Sequence, residues 1–182
     1  MPPLRLKVLH IEDNEDDHAL VALHLRRGGI NADIRRTETE AELGDALFED
    51  WDLILCDYNL PGYSGLAALD KVRALGKLVP FILVSGEIGE DIAVQAMRNG
   101  ASDYLLKSNL ARLAPAAMLA IEANRTRIAK QRADLALSRS RQQLRELAQH
   151  LQTSIEQERA AIAREIHDDV GGAMTAVKFD LA

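Results

Sequence analysis

With 182 residues, 47% of them hydrophobic but only 4% aromatic, the chain can bury a core made mostly of Leu, Ile, Val and Ala, with room for one ordinary domain plus a smaller or extended part. Its single cysteine excludes an internal disulfide, no apolar run reaches the ~18 residues that span a bilayer, and the N-terminus lacks a signal-peptide pattern, so a soluble, cytoplasmic protein with no membrane partner is expected. The net charge of −6 is uneven: residues 1–110 carry 11 basic against 19 acidic side chains, a balance that argues against nucleic acid and suits a cation site, whereas the remainder carries 11 against 9.

A first strand, Leu6 to Ile11, runs into the acids Glu12, Asp13, Glu15, Asp16 and Asp17. Asn14 can cap the following helix, with the acids favourably placed at its positive end; Ala19, Leu20, Leu23 and Leu25 supply its apolar side, and Gly28-Gly29 stop it. Ile30 to Ile34 reads as a short second strand, and Thr39 with Glu42 three residues later is a capping box for a second helix with Leu43, Ala46 and Leu47 inward. The apolar run Leu53 to Cys56 then stops on Asp57, with Pro61-Gly62 shortly after: a buried parallel strand ending in a turn. Cys56 within it reads as a small buried hydrophobe. A helix through Leu66, Leu69, Val72 and Leu75 leads to a fourth strand from Val79 to Val84 that ends on Ser85. A short helix from Gly89 to Arg98, closed by Asn99-Gly100, precedes a fifth strand, Asp103 to Leu106, that delivers Lys107. Five strands alternating with helices predict a parallel, doubly wound α/β sheet whose right-handed crossovers gather all strand C-termini on one rim.

Pro115 fits the first turn of a last helix, and from there to Val170 the chain contains no glycine and no further proline. Leu144, Leu147, Leu151, Ile155, Ile162, Ile166 and Val170 recur at three, four and seven, and Ile121, Ile128 and Leu135 keep a seven-residue step, which predicts a two-stranded coiled coil. Seven basic and two acidic residues between Ile121 and Arg145 lack interleaved aromatics and read as a solvated helix face.

The predicted rim brings together Glu12, Asp13, Asp57, Ser85 and Lys107. Three carboxylates at one point call for a cation, and all-oxygen ligation favours Mg²⁺ or a similar hard ion. Such an ion beside Asp57 suits phosphoryl transfer to its oxygen, with Ser85 and Lys107 placed to bond the transferred group.

With those strand ends, residues 4–125 resemble a CheY-like receiver domain of two-component signalling. Position by position, the resemblance implies Asp57 as phospho-acceptor, Glu12 and Asp13 as the acidic pair, and the backbone carbonyl of Asn59 as a further Mg²⁺ ligand. It also implies Ser85 as the switch hydroxyl, Lys107 as the lysine that meets the phosphoryl group, and Tyr104 as the aromatic that swings inward on activation. Ser108 departs from the pattern, since many receivers have a proline there after a cis bond.

Residues 158–182, from Glu158 through Ile166-His167-Asp168-Asp169-Val170-Gly171, resemble the first helix of the dimerisation and phosphoacceptor domain of nitrate-sensor-like histidine kinases. That resemblance implies His167 as a phosphorylated histidine and Asp168 as the residue that orients or deprotonates it, with residues 126–157 as a signalling coiled coil. No Gly-rich phosphate loop is visible. The expected partners are therefore a second copy through the C-terminal helix, a phosphodonor or cognate histidine kinase, an ATP-binding domain in a missing C-terminal part, and a downstream response regulator. His10, His18, His24 and His150 show no metal-ligand spacing. A competing reading is a receiver-type binding or dimerisation module with no histidine phosphotransfer. An aspartate-nucleophile phosphohydrolase fits less well, because Asp57-Tyr58-Asn59 lacks the second aspartate such enzymes place two residues on.

Overall fold

A computed structural model describes residues 5–86 and 89–179, with the side chains of the last helix described as far as Ile166. Its central sheet has five parallel strands in the order β2-β1-β3-β6-β7: β1 Leu6–Ile11, β2 Ala32–Thr37, β3 Leu53–Asp57, β6 Phe81–Ser85 and β7 Asp103–Leu106. This is the doubly wound, flavodoxin-like arrangement, and strand order reverses between β1 and β3, where such sheets open a crevice at their C-terminal ends. The intervening helices are α1 Glu15–Arg27, α2 Glu40–Ala46, α3 Gly65–Ala74 and α4 Glu90–Arg98.

Period-two alternation along the strands sends side chains to two apolar layers. Leu9, Ile11, Ile54, Cys56, Phe81 and Leu83 pack under α2, α3 and α4, while Val8, Leu53, Leu55, Ile82, Val84 and Leu105 pack against α1 and the start of the last helix. Both predicted helix starts are present. Asn14 Oδ1 accepts from the backbone N–H of Asp16 (2.8 Å) and Asp17 (3.1 Å), and Thr39 with Glu42 forms the complete capping box.

Several details differ from expectation. α1 buries Val21 and Leu25 and leaves Leu20 exposed, so its inner face is rotated from the one predicted. β2 lies two to three residues later than Ile30 to Ile34, because Ile30 serves as a buried plug between α1 and the strand. After Asp57 the chain forms a small antiparallel hairpin, β4 Asn59–Leu60 and β5 Tyr63–Ser64, turning through Gly62 at φ 82°. Leu75 lies outside α3 and is exposed. A 3-10 helix over Lys107–Arg112 follows β7, and the Lys107–Ser108 bond is trans, like every peptide bond among the described residues.

The last helix, α5, runs over Leu113–Phe179. The chain divides into two compact units, Met1–Ile128 and Ala129–Ala182. Ile121, expected on the coiled-coil seam, is instead buried in the first unit with Val21, Leu25 and Leu113, since the start of α5 completes that layer of the sheet. In the second unit Leu135, Leu144, Leu147, Leu151, Ile155, Ile162 and Ile166 are all exposed.

Candidate functional site

Strand register alone brings the predicted rim together. Ile11 pairs with Cys56, so the next residues, Glu12 and Asp57, emerge side by side; Asp57 pairs with Val84 and Ser85 with Leu106, which sets Ser85 and Lys107 on the same edge. Glu12, Asp57 and Ser85 are almost wholly buried, at 1%, 5% and 1% exposure. Gly65, at the start of α3, makes room for this: a side chain there would come within 2.6 Å of the Asp57 carbonyl oxygen and 2.7 Å of Leu83, and its N–H instead donates to Tyr58 O at 2.9 Å.

One carboxylate oxygen from each of Glu12, Asp13 and Asp57 lies within 4.8 Å of the others. The Lys107 ammonium reaches the same carboxylates, donating to Asp57 Oδ2 (2.8 Å) and Glu12 Oε2 (3.1 Å), and also to Asp17 Oδ2 (2.5 Å). Burial, and next the Asp57 charge, push the Glu12 carboxyl above its ordinary pKa, against the pull of the Asn14 N–H and Lys107. For Lys107, burial works to lower the pKa, but its bonds to Asp17, Asp57 and Glu12 carry it above the usual lysine value. The pocket therefore sets a single positive charge among four carboxylates, two of them buried. A compact all-oxygen donor set with surplus negative charge fits a hard divalent cation held by Glu12, Asp13 and Asp57.

Residues 8–117 match the response regulator receiver domain. The chain belongs to the response regulator receiver family.

The receiver is 30% identical over 98 residues to the transcriptional regulatory protein ZraR of Escherichia coli (strain K12), a match covering 53% of this chain and 22% of that one. It is 34% identical over 103 residues to the cell cycle transcriptional regulator CtrA of Caulobacter vibrioides, covering 56% and 44%. The chain thus spans less than half the length of these relatives. Among solved structures, a CheY-like receiver domain protein from Methanospirillum hungatei superposes with a TM-score of 0.59 at 21% identity, over 68% of this chain and 99% of that one. A receiver domain protein from Clostridium thermocellum gives 0.58 at 24%, over 66% and 98%. Both likenesses speak for the fold.

Of the remaining expected site residues, Asn59 sits beside the pocket, its backbone N–H donating to Asp57 Oδ1 at 3.3 Å. Tyr104 is half-buried on β7 against the α2–α4 layer. His167 and Asp168 lie outside the described side chains.

Three features of the receiver site escaped the sequence. Asp17, expected only to favour the helix end, is the nearest acceptor of Lys107; its place as the third helical residue of a helix opening on the rim was the available signal. Arg36, at the end of β2, bonds the backbone carbonyl oxygens of Asp13 (3.2 Å) and, more weakly, Glu12 (3.5 Å), and pairs with Glu38 at 2.6 Å, tying the acidic loop to β2. His10, fully buried two residues before Glu12, stacks on His18 of α1 with the two Nδ1 atoms 2.9 Å apart, although the sequence showed no context for either. Burial first, then the His18, Lys107 and Arg36 charges, push the His10 imidazole down to about 3, so it is held neutral.

Proposed function

We propose that the receiver accepts a phosphoryl group on Asp57, with Mg²⁺ held by Glu12, Asp13, Asp57 and the backbone carbonyl of Asn59. The observation that carries this is the convergence of three carboxylates within 4.8 Å while Lys107 Nζ sits 2.8 Å from Asp57. In the transfer an Asp57 carboxylate oxygen forms the bond to phosphorus, and the donor's oxygen departs with its bonding pair. A bound Mg²⁺ would neutralise the oxygens of the incoming group. Lys107, already within hydrogen-bond reach of Asp57, can turn one N–H to a phosphoryl oxygen while Glu12 and Asp17 keep the other two. Ser85, at the end of the neighbouring strand, would donate a second bond, and Tyr104, two strand positions before Leu106, is the aromatic that would swing inward on activation.

Beyond the receiver, we assign α5 to a parallel homodimer whose residues 126–157 act as a signalling coiled coil, with His167 as a histidine phosphoacceptor aided by Asp168 at residues 158–182. The exposed apolar stripe on α5 and the sequence around His167 support this. In this reading the state of Asp57 alters the packing of the helix pair and so controls access to His167 by an ATP-binding domain. A cognate kinase or small phosphodonor acts upstream and a response regulator downstream.

The test is incubation with acetyl phosphate, with and without Mg²⁺, followed by mass spectrometry. Label should require the metal and vanish in Asp57→Asn; equal label in chelator or in Asp57→Asn would remove the assignment. Transfer to His167 from a separately supplied kinase catalytic domain tests the second part, and no transfer to a folded dimer would leave a receiver that works as a binding or dimerisation module.

A further inference from the structure

The exposed stripe of α5 has a period that a heptad does not reproduce. From Leu144 the large apolar residues fall at steps of three, four and four, to Leu147, Leu151 and Ile155; the same steps from Ile155 lead to Glu158, Ile162 and Ile166. Leu144, Ile155 and Ile166 are therefore eleven apart, and so are Leu151 and Ile162. The heptad that fits best, through Leu144, Ala148, Leu151, Ile155, Glu158 and Ile162, leaves Leu147 and Ile166 off the seam and continues to Glu165. Eleven residues in three turns give about 3.67 per turn, slightly above the 3.6 of a straight helix, whereas a heptad gives about 3.5. A stripe with the longer period drifts with the opposite hand.

All six large apolar residues of the stripe are 49–63% exposed. At on the order of 100 Å² each they offer roughly 600 Å² per helix, or about 1,200 Å² for a pair, the lower bound of specific interfaces. Burying that surface on a second helix needs a partner with the same eleven-residue step. Another copy of this chain has it by construction.

Resting on the homodimer assigned above, we propose that two copies pair in parallel and in register along Leu144–Ile166 as an eleven-residue-repeat seam, nearly straight or coiling slightly to the right. Glu158 is the one charged residue in the frame: in-register parallel pairing brings both carboxylates to one level at a cost in stability, and one polar seam position is a known way of fixing register.

The two periods differ by one position, which a cysteine scan reads directly. Cys56 is buried, so the full chain without added cysteine serves as the background control. Leu147→Cys and Ile166→Cys should each form a disulfide-linked dimer about tenfold faster than Ala148→Cys and Glu165→Cys, because only side chains facing their own copy reach bonding geometry. Equal rates, or faster linking at 148 and 165, would overturn the eleven-residue seam while leaving the homodimer intact. Linking of Ile155→Cys, which both periods place on the seam, with none at the other four would mean antiparallel helices and overturn the parallel alignment. No linking at any of the five, with a monomer by light scattering, would remove the homodimer itself and this inference with it.

Discussion

The two units use the same aliphatic residues to opposite effect. In Met1–Ile128 the Leu, Ile and Val of every sheet strand find partners within the chain, and the strands β3 and β6 are buried at every position. In Ala129–Ala182 the described large apolar residues, spaced just as regularly, remain about half exposed. Ile121 shows what the difference depends on. It keeps the same seven-residue step as Ile128 and Leu135, yet it is buried because the sheet lies beside its turn of helix. Periodicity identifies the face that must be covered, and the surroundings decide what covers it.

The sharpest break of this comparison is one truncation in each unit. Phe81→Ala empties a fully buried site between two strands and should cost about 3–5 kcal/mol, enough to unfold much of a domain of ordinary stability. Ile155→Ala should leave receiver stability within about 0.5 kcal/mol and act only on self-association. Trp51, whose indole N–H donates to Ala46 O at 2.8 Å, reports receiver unfolding by fluorescence in denaturant. A loss above about 2 kcal/mol for Ile155→Ala would mean that the helix stripe supports the receiver, and the contrast would fail.

The rim was legible because each strand changes from apolar to polar at the residue that matters. Cys56-Asp57, Val84-Ser85 and Leu106-Lys107 announce both the strand end and the site. The edge strand was less legible. β2 alternates half-buried and exposed residues, ADIRRT, so no apolar run fixes its position, and the prediction drifted towards Ile30. The β4–β5 hairpin is too short to show a period, and Leu20 and Val21 are adjacent candidates for one helix face. Pairings that depend on distant elements left no local trace: Lys107 reaches Asp17 across 90 residues of sequence, and His10 meets His18 only because β1 and α1 pack together.

That histidine pair gives the next largest effect, again confined to the receiver. Folded His10 is held neutral with its pKa at about 3, whereas in the unfolded chain it titrates near 6.5. Between those values the unfolded state takes up a proton that the folded state does not. Its contribution is therefore fully present above pH 6.5 and is lost as pH falls, by about 2 kcal/mol at pH 5. Glu12, with its pKa raised by burial and by Asp57, works in the other direction, since its folded state takes up a proton first as pH falls. Urea unfolding at pH 7 and pH 5 should show the net loss, and His10→Leu should remove more than half of it. An unchanged slope in His10→Leu would show that the pair is not what makes the receiver acid-sensitive.

The smallest expected effect lies at Asp17 and tests how the pocket accommodates two cations. Lys107 holds Glu12 and Asp57, two of the three carboxylates that would also bind Mg²⁺, so ammonium and metal compete for them. Asp17 binds Lys107 at 2.5 Å and stands outside the three-carboxylate cluster, so it gives the ammonium an anchor when metal claims the other two. Asp17→Asn removes that anchor and should weaken Mg²⁺ binding about three- to tenfold, the scale of one charge-assisted hydrogen bond at a partly exposed site. Asp16→Asn deletes an equal charge from the same turn without touching Lys107, and should change affinity less than about twofold. In a Lys107→Met background the two substitutions should become equivalent, since the competition has gone. Calorimetric titration of all six proteins reads this as two double-mutant cycles. If Asp16→Asn and Asp17→Asn weaken binding equally in the presence of Lys107, Asp17 contributes only its charge to the pocket; if the parent chain takes up no Mg²⁺, the metal assignment fails before the cycle begins.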